Sequence, residues 1–251
     1  MMKVILSLFP GIGLLDRAFE EVFDGEACIV RGPDVLWGGD IRRFHVPPGV
    51  FWGVIGGPPC QRFSRMANLV RKVHGEDALA ENLRPEFERC INEGQPSWFI
   101  MENVPAAPVP VVEGYQVCDY VLNNRWSPES PEQNRIRRFS FGSRNGRKLD
   151  IETCALLNPV STPAFTASGT KWVPVKIGGS GKVKATYTKS GHPAGVQTEA
   201  YFRDGVRAQG LPDAFDLPGF TVRGKIRAVG NGVPLPMGRA IAKAVKQAMI
   251  P

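Results

Sequence analysis

The sequence predicts an α/β fold in which a mainly parallel central sheet is covered by helices. Short apolar runs typical of buried strands recur through residues 4–141 and alternate with stretches whose apolar residues have helical spacing. Such alternation is typical of parallel sheets, because their strands are joined by crossover helices. With 251 residues, 43% of them hydrophobic, the chain is long enough to bury a sizeable core.

The predicted elements follow one another in a regular order. Strands are expected at 4–9, 27–30, 51–55, 98–101, 115–122 and 137–141, and helices at 14–22, 84–93 and 238–249. The first helix places its apolar side chains on one face: Leu14, Leu15, Ala18, Phe19 and Val22. These elements build one core, to which the end of the chain returns.

The composition changes near Gly142. Residues 169–196 are rich in Gly, Lys, Ser and Thr and contain no acidic residue. We predict a core over 1–142, a small β-rich lobe over 143–206 and a segment over 207–251 that returns to the core. A solvated surface insertion is the alternative to a separate lobe.

Charge and cysteine content narrow the class of function. The net charge of +7 favours a polyanionic partner such as nucleic acid, with simple solubility as the alternative. The five cysteines form no CxxC motif and the three histidines are scattered, so we expect no disulfide framework and no metal site. No apolar run approaches the ~20 residues of a membrane span, and no signal peptide is evident. We therefore expect a cytoplasmic protein with reduced thiols.

A cysteine stands directly after the third predicted strand. Cys60 follows Val54, Ile55 and the Gly/Pro-rich turn 56–59. A buried structural role is the usual fate of a cysteine. A turn of this kind presents a side chain rather than packing it, and a thiol is suited to addition chemistry near neutral pH. Cys60 is therefore a candidate nucleophile.

Two later segments place polar side chains at strand ends. Glu102 follows the apolar strand 98–101, and burial there would raise its pKa and suit it to protonating a ring nitrogen. Strand alternation would send Gln133, Arg135 and Arg137 to one face, where they are suited to holding a base edge or a phosphate. A capping or ion-paired glutamate and a charged edge strand are the alternatives.

Two glycine-rich turns are the last of the sequence motifs. Residues 9–13 lie between the first strand and the first helix, where glycines let a ligand approach the backbone and the helix N-terminus. A purely structural turn is equally compatible with this segment. Residues 230–234 form a second turn before the last helix.

Together these motifs resemble, in order, those of the DNA (cytosine-5) methyltransferase family. The resemblance covers nearly the whole chain and rests on seven segments: 9–13, 39–41, 57–61, 102–104, 133–137, 207–212 and 230–234. It implies a Rossmann-like, S-adenosylmethionine-dependent methyltransferase fold with a mostly parallel sheet. The core 1–142 would hold the catalytic and cofactor sites, and the lobe 143–206 would recognise the target.

The resemblance also implies a mechanism. Cys60 would attack C6 of a cytosine flipped out of the duplex, and Glu102 would hold or protonate N3. Arg137, together with Arg135, would hold the base from its O2 side. C5 would take a methyl group from S-adenosylmethionine, leaving S-adenosylhomocysteine. Base flipping is physically required, because a stacked cytosine cannot be reached.

Binding residues follow from the same resemblance. The implied cofactor residues are Phe9, Gly11, Ile12, Gly13, Asp34, Asp40, Ile41, Pro59, Asn231 and Val233, with Asp34 the candidate for the ribose contact. The implied DNA-binding residues are Arg62, Ser64, Arg65, Gln133, Lys171, Lys176, Lys182 and Lys184. Residues 62–77 resemble the family's loop that closes over the flipped base. The implied protein is a monomer that acts on double-stranded DNA in a prokaryotic or phage restriction–modification setting.

Three alternatives remain open at this point. A tRNA cytosine methyltransferase would keep the fold and change the substrate, and a catalytically silent DNA-binding relative would keep the fold alone. The second predicted strand ends without the acidic residue that is usual in the family, which leaves open the transfer of a group bulkier than methyl. Because residues 142–207 offer little room for recognition and phosphate contacts do not specify sequence, we expect a short or relaxed target.

Overall fold

The central sheet is six-stranded and mainly parallel, as predicted. A computed structural model describes residues 2–128, 133–154, 162–167 and 198–250. Its strands are β1 (Lys3–Leu8), β2 (Ala27–Arg31), β3 (Gly53–Gly56), β4 (Trp98–Asn103), β5 (Gln116–Asn123), β6 (Gln133–Asn134), β7 (Ile136–Ser143) and β8 (Thr162–Pro163). The sheet has the order β2-β1-β3-β4-β7-β5, and β6 pairs separately with β8. Strands β1 to β4 are parallel, whereas β7 is antiparallel to both β4 and β5.

The strand order creates a crevice at one edge of the sheet. From β1 the chain passes first to β2 on one side and later to β3 on the other. Connections that leave in opposite directions separate the loops at the carboxyl ends of the two strands, and ligands of open α/β sheets bind there. Residues 9–13, Cys60 and Glu102 all lie at this edge, because each follows or ends a parallel strand.

The described residues also form six α-helices. They are α1 (Leu14–Phe23), α2 (Arg65–His74), α3 (Arg84–Gly94), α4 (Glu199–Ala208), α5 (Val222–Asn231) and α6 (Leu235–Met249). Helices α1, α3 and α6 lie where the sequence predicts them. Helix α2 occupies most of the segment 62–77 that was expected to be a loop. It begins there because the Ser64 hydroxyl accepts a hydrogen bond from the Ala67 amide at 3.3 Å.

Each face of the sheet has its own apolar core. On one face, α1 and α6 pack against the sheet through a cluster that includes Phe19, Trp98 and Ile241. On the other face, α3 contributes Phe87 to a cluster that includes Phe99. The sheet is therefore buried on both sides, which explains why its parallel strands are almost continuously apolar.

A third cluster joins α4 and α5 to the core. Phe202 and Val229, both fully buried, pack with Leu14 of α1 and with Phe165. Helix α4 runs through position 206, where the lobe was expected to end. Most of that lobe (155–161 and 168–197) lies outside the described residues, as do Lys171, Lys176, Lys182 and Lys184. Across the part of the chain that is described, no helix is long and apolar enough to cross a membrane.

Candidate active site

Glu102 and Arg137 meet across two neighbouring strands. In the β4–β7 register Glu102 lies opposite Phe139, so Arg137, two residues before Phe139, is a diagonal neighbour on the same face. The Arg137 Nε atom lies 2.8 Å from Glu102 Oε1. Both side chains are largely buried, at 16% and 11% exposure. The sheet register thus creates an ion pair that sequence spacing alone does not reveal.

The turn that carries Cys60 is attached to the end of β4. The Asn103 side-chain amide donates a hydrogen bond to the Pro58 carbonyl at 3.1 Å, and its oxygen accepts one from the Val104 amide at 2.8 Å. A Cβ atom at position 57 would lie 3.1 Å from Glu102 Oε2, so Gly57 allows the turn to approach the carboxylate closely. In the sequence Asn103 is only part of a motif. Its hydrogen bond to the Pro58 carbonyl depends on the fold.

The buried setting shifts both ionisable groups in the same direction. Burial raises the pKa of the Glu102 carboxyl, and the positive charges of Arg137 and Arg135 oppose that rise. Burial also raises the pKa of the Cys60 thiol, with the Glu102 charge adding to the rise and the two arginines opposing it. The site therefore shifts the Glu102 carboxyl toward its protonated form, and it holds two cations that oppose this shift.

The Arg135 side chain binds backbone carbonyls. This residue lies between β6 and β7, so positions 133–137 do not form one continuous strand. The buried guanidinium donates hydrogen bonds to the carbonyls of Phe165, Gly230 and Gly232, each at 3.0 Å. Burial, together with the charge of Arg137, lowers the pKa of Arg135 to about 9. Its predicted contact with a base stays a prediction.

The glycine-rich loop after β1 has the backbone of a ligand cradle. Phe9, Gly11 and Gly13 adopt φ angles of 55°, 56° and 74°, in the left-handed region that glycine enters most easily. A Cβ atom on Gly11 would meet no atom within 4 Å, so the space above it is open. Ile12 is half-buried beside the third cluster, and the loop closes through a 2.8 Å bond from the Gly13 amide to the Pro10 carbonyl.

Two side chains that follow β2 hold this loop in place. Asp34 accepts hydrogen bonds from the amides of Gly11 at 2.9 Å and Leu36 at 2.7 Å. The indole N–H of Trp37 donates to the Gly11 carbonyl at 2.7 Å, and its ring meets Phe220 edge-on at 5.8 Å. Sequence reasoning missed Trp37, although an exposed tryptophan in a short loop after the second strand was an available signal.

A buried acid behind the loop was also missed. Asp16, in the first turn of α1, accepts a 2.5 Å hydrogen bond from the Ser7 hydroxyl and pairs with Arg31 at 2.8 Å. Burial is the main reason that the pKa of Asp16 is raised. A Cβ atom on Gly13 would lie 2.8 Å from the Arg31 guanidinium. This cluster fixes the start of α1 directly behind the loop.

The remaining predicted cofactor residues lie around the same crevice. Asp40 caps the short turn 41–43 and pairs with Arg42 at 2.9 Å, and the hydrogen bonds from Arg42 lower the pKa of Asp40. Ile41 is buried in the second cluster. Pro59 is half-buried beside Cys60. Asn231 is exposed and Val233 is buried, at the junction between α5 and α6.

Comparison with known proteins places this geometry in a family. The sequence model of the C-5 cytosine-specific DNA methylases matches residues 39–108. The type II methyltransferase M.HgiDI of Herpetosiphon aurantiacus is 33% identical over 108 residues, which make up 39% of this chain and 33% of that protein. M.NgoPII of Neisseria gonorrhoeae is 31% identical over 40% of this chain and 33% of its own length. Over this part of its length the chain is similar to the cytosine C5-methyltransferase family. It spans about a third of the length of these two relatives.

Solved structures of C5-methyltransferases support the fold. EhMeth of Entamoeba histolytica has a TM-score of 0.63 at 13% identity, with 98% of each chain covered. DNMT2 of Spodoptera frugiperda has a TM-score of 0.62 at 14% identity, covering 97% of this chain and 99% of that one. Identity this low shows the fold alone. The predicted family and fold class are both confirmed.

The surface beside Cys60 carries ion pairs. Arg62 and Arg71 both pair with Glu76, the former at 3.3 Å. Ser64 uses its hydroxyl as the cap of α2. Arg65 begins that helix, and its side chain lies outside the description.

Gln133, also predicted to contact DNA, is fully buried. Its amide donates to the Ala208 carbonyl at 2.7 Å, so the side chain is not open to DNA in this structure. Within the described ranges, no cluster of three or more His, Cys, Asp or Glu side chains is placed to hold a metal ion.

Proposed function

We propose that this protein transfers a methyl group from S-adenosylmethionine to C5 of cytosine in DNA. Similarity to the C5-methyltransferase family supports cytosine C5 methylation in general. The observation that carries the specific proposal is the meeting of the Cys60 turn with the buried Glu102–Arg137 pair. These groups supply the nucleophile, the proton donor and the cation that addition to a pyrimidine ring requires.

The crevice fits the cofactor that the family uses. The loop 9–13 has its left-handed backbone positions and open space above Gly11, as a bound nucleoside requires. Asn231 and Val233 would complete the wall, and Asp40 would bind the adenine edge if Arg42 released one of its oxygens. When bound, S-adenosylmethionine supplies the electrophilic methyl group.

The protein's own side chains would carry the remaining steps. The Cys60 thiolate would form a bond to C6 of the cytosine while protonated Glu102 donates to N3, which draws the ring electrons and makes C5 nucleophilic. Arg137 would hold the O2 side of the base. After C5 has gained the methyl group, a base such as water would take the C5 proton, and the electrons of the C5–H bond would form the C5–C6 double bond. Cys60 would leave C6 as a thiolate while N3 returns its proton to Glu102. Presenting the base costs a few kcal/mol of unstacking.

Substitution of the nucleophile tests the proposal directly. Cys60→Ala should retain binding of duplex DNA and S-adenosylhomocysteine but transfer no labelled methyl group to DNA. Cys118→Ala is a matched control, because Cys118 lies on β5 away from the Glu102–Arg137 pair. Undiminished methylation by the Cys60 variant would rule out this mechanism.

Substrate and target sequence need a separate experiment. Bisulfite sequencing of DNA from cells that express the protein would report position and sequence context together. Competition between labelled duplex DNA and unlabelled tRNA would separate the proposed substrate from tRNA. Methylation restricted to one site of six or more base pairs would contradict the expected short or relaxed target. Binding of DNA without any methylation would favour the silent relative.

A further inference from the structure

A buried hydrogen-bonded junction links the strand of Arg137 to the end of α5. Arg135 donates to the carbonyls of Gly230 and Gly232, which flank Asn231. From the other side, the buried Gln209 amide donates to the carbonyls of Val229 at 2.7 Å and Gly232 at 3.2 Å. The segment 229–232, defined here as the α5 end, is thus held between two side chains. We call this arrangement the junction.

The junction includes more residues than Arg135 and Gln209. The Leu235 amide donates to the Gln209 carbonyl at 2.9 Å, so the first residue of α6 is tied to the same point. Phe165 is joined to it through the third bond of Arg135. Because these carbonyls are buried, no water can readily replace a lost donor, and loss of one donor should loosen the whole α5 end.

Arg135 also contributes to the charge balance of the site. The charged and titratable groups that face Glu102 are Arg137, Arg135 and Cys60. Arg135 is connected to Arg137 by only one intervening residue, and all three of its bonds fix the guanidinium in the interior. One residue therefore contacts the proposed cofactor wall through hydrogen bonds and influences the reacting groups through its charge.

We propose that Arg135 and Gln209 are positioning residues that couple the proposed cofactor wall at 231–233 to the Glu102–Arg137 pair. Arg135 acts through both its hydrogen bonds and its charge, whereas Gln209 acts through hydrogen bonds alone. This inference rests on the proposed function for the identity of the cofactor. It gives Arg135 a role that requires no contact with the base. It also assigns a role to Gln209, which lies in the motif segment 207–212 but was not among the predicted site residues.

Three variants separate the two contributions. Arg135→Lys keeps the charge and loses the three-point bonding, Arg135→Gln loses both, and Gln209→Leu loses two neutral hydrogen bonds. Arg203→Gln is the matched control, because Arg203 likewise donates to two backbone carbonyls, those of Asp213 and Phe215, away from the α5 end. Circular dichroism would confirm that each variant is folded, and Arg135→Lys keeps the test usable if Arg135→Gln is not.

The first measurement is the affinity for S-adenosylhomocysteine by calorimetry. Arg135→Lys and Gln209→Leu should each weaken binding about tenfold, because the α5 end loses buried donors. Arg203→Gln should bind like the wild type. Wild-type affinity in both junction variants would overturn the coupling.

The second measurement is the pH dependence of Cys60 alkylation, followed for the Cys60 peptide by mass spectrometry. Loss of the Arg135 charge removes a cation that lowers the pKa of the Cys60 thiol, so the alkylation midpoint should move to higher pH in Arg135→Gln. It should stay in place in Gln209→Leu and Arg135→Lys. Equal midpoints in all variants would reduce Arg135 to a structural residue and overturn the charge contribution.

Hydrogen–deuterium exchange keeps the two proposals distinguishable. If the wild-type protein binds no S-adenosylhomocysteine, the proposed function fails while the junction can still be judged. Faster exchange in peptides from 226–240 of Arg135→Lys and Gln209→Leu, accompanied by faster exchange near 136–141, would support the coupling. Faster exchange confined to the substituted segment itself would overturn it.

Discussion

At the scale of single residues, Glu102 is the group on which the site depends. It is 8% exposed, lies one residue before the end of a strand whose six residues are all buried, and is paired with Arg137. A buried carboxyl is stabilised in its neutral form unless nearby cations compensate. Here burial outweighs the two arginines, so the pKa of Glu102 is raised in the folded protein. This favours the proton that the proposed reaction requires.

Glu102→Gln should therefore become more stable relative to the wild type as the pH rises. A group whose pKa is raised by folding stabilises the protein fully below its unfolded pKa, and that contribution is lost as the pH rises through the folded pKa. Glutamine cannot ionise and keeps a neutral side chain throughout. Urea unfolding of both proteins between pH 5 and pH 8 checks this. If the stability of Glu102→Gln relative to the wild type stayed constant or fell as the pH rises, the raised pKa of Glu102 would be contradicted.

Sequence predicted some of these residues and not others, for a physical reason. Cys60 and Glu102 each follow a buried strand, so local pattern places them at the sheet edge. Arg135 and Gln133 were expected on an open face, yet their partners lie 95 and 75 residues away, at Gly230 and Ala208. Only the fold brings such partners together. A local pattern can indicate that a side chain is polar but cannot identify the distant carbonyl that binds it.

At the scale of elements, close contact between β4 and β7 sets the register that pairs Glu102 with Arg137. Gly142 lies opposite Phe99 in that register. A Cβ atom at position 142 would lie 2.2 Å from the Phe99 ring, far inside van der Waals contact. The glycine is needed at this position because the neighbouring strand fills the space with an aromatic side chain.

Gly142→Ala should destabilise the protein by about 1–3 kcal/mol, the usual range for overpacking a core. Urea denaturation would measure the change. Phe99→Leu offers an internal control, because a smaller side chain leaves room for the added methyl group. The alanine substitution should then cost less in the Phe99→Leu background than in the wild type. Equal costs in both backgrounds would show that the ring is not what the methyl group meets.

The ion pairs of Glu76 beside helix α2 lead to a second prediction at the scale of elements. Glu76 binds both Arg62 and Arg71, two of the cations suited to contacting phosphate, so its carboxylate occupies them before DNA does. Glu76→Gln should tighten DNA binding several-fold and make it more salt-dependent. Glu86→Gln removes the same charge from α3, where Glu86 pairs with Arg89, and should change little. Fluorescence anisotropy would compare them, and equal effects would mean that net charge alone is responsible.

At the scale of the whole molecule, the net charge of +7 is unevenly distributed along the sequence. The core elements were predicted well, because buried strands and amphipathic helices have strong periodic signals. The helices α2, α4 and α5 were not predicted. Ser64, Thr198 and Thr221 cap them, and the hydroxyl of each accepts a hydrogen bond from an amide three residues later. The lysine-rich segment remains a prediction from sequence.

Replacing Lys171, Lys176, Lys182 and Lys184 with glutamine should lower the salt dependence of DNA binding. Each lysine that contacts a phosphate contributes about 0.9 to the slope of log K against log salt, so the slope should fall by up to about 3.6. Replacing Lys3, Lys148, Lys243 and Lys246 removes the same charge elsewhere and is the control. Binding isotherms at several salt concentrations measure both slopes. A larger decrease in the control would place the DNA on another surface.

The junction also depends on the order in which the chain is synthesised. A ribosome adding about 5–20 residues per second needs about 5–20 s to travel from Arg135 to Gly230, its partner 95 residues later. Throughout that interval the nascent chain already contains Cys60, Glu102 and Arg137, but the Gly230 and Gly232 carbonyls that bind Arg135 do not yet exist. A chain stalled before residue 230 would therefore hold Cys60, Glu102 and Arg137 but lack two of the three hydrogen bonds that fix Arg135.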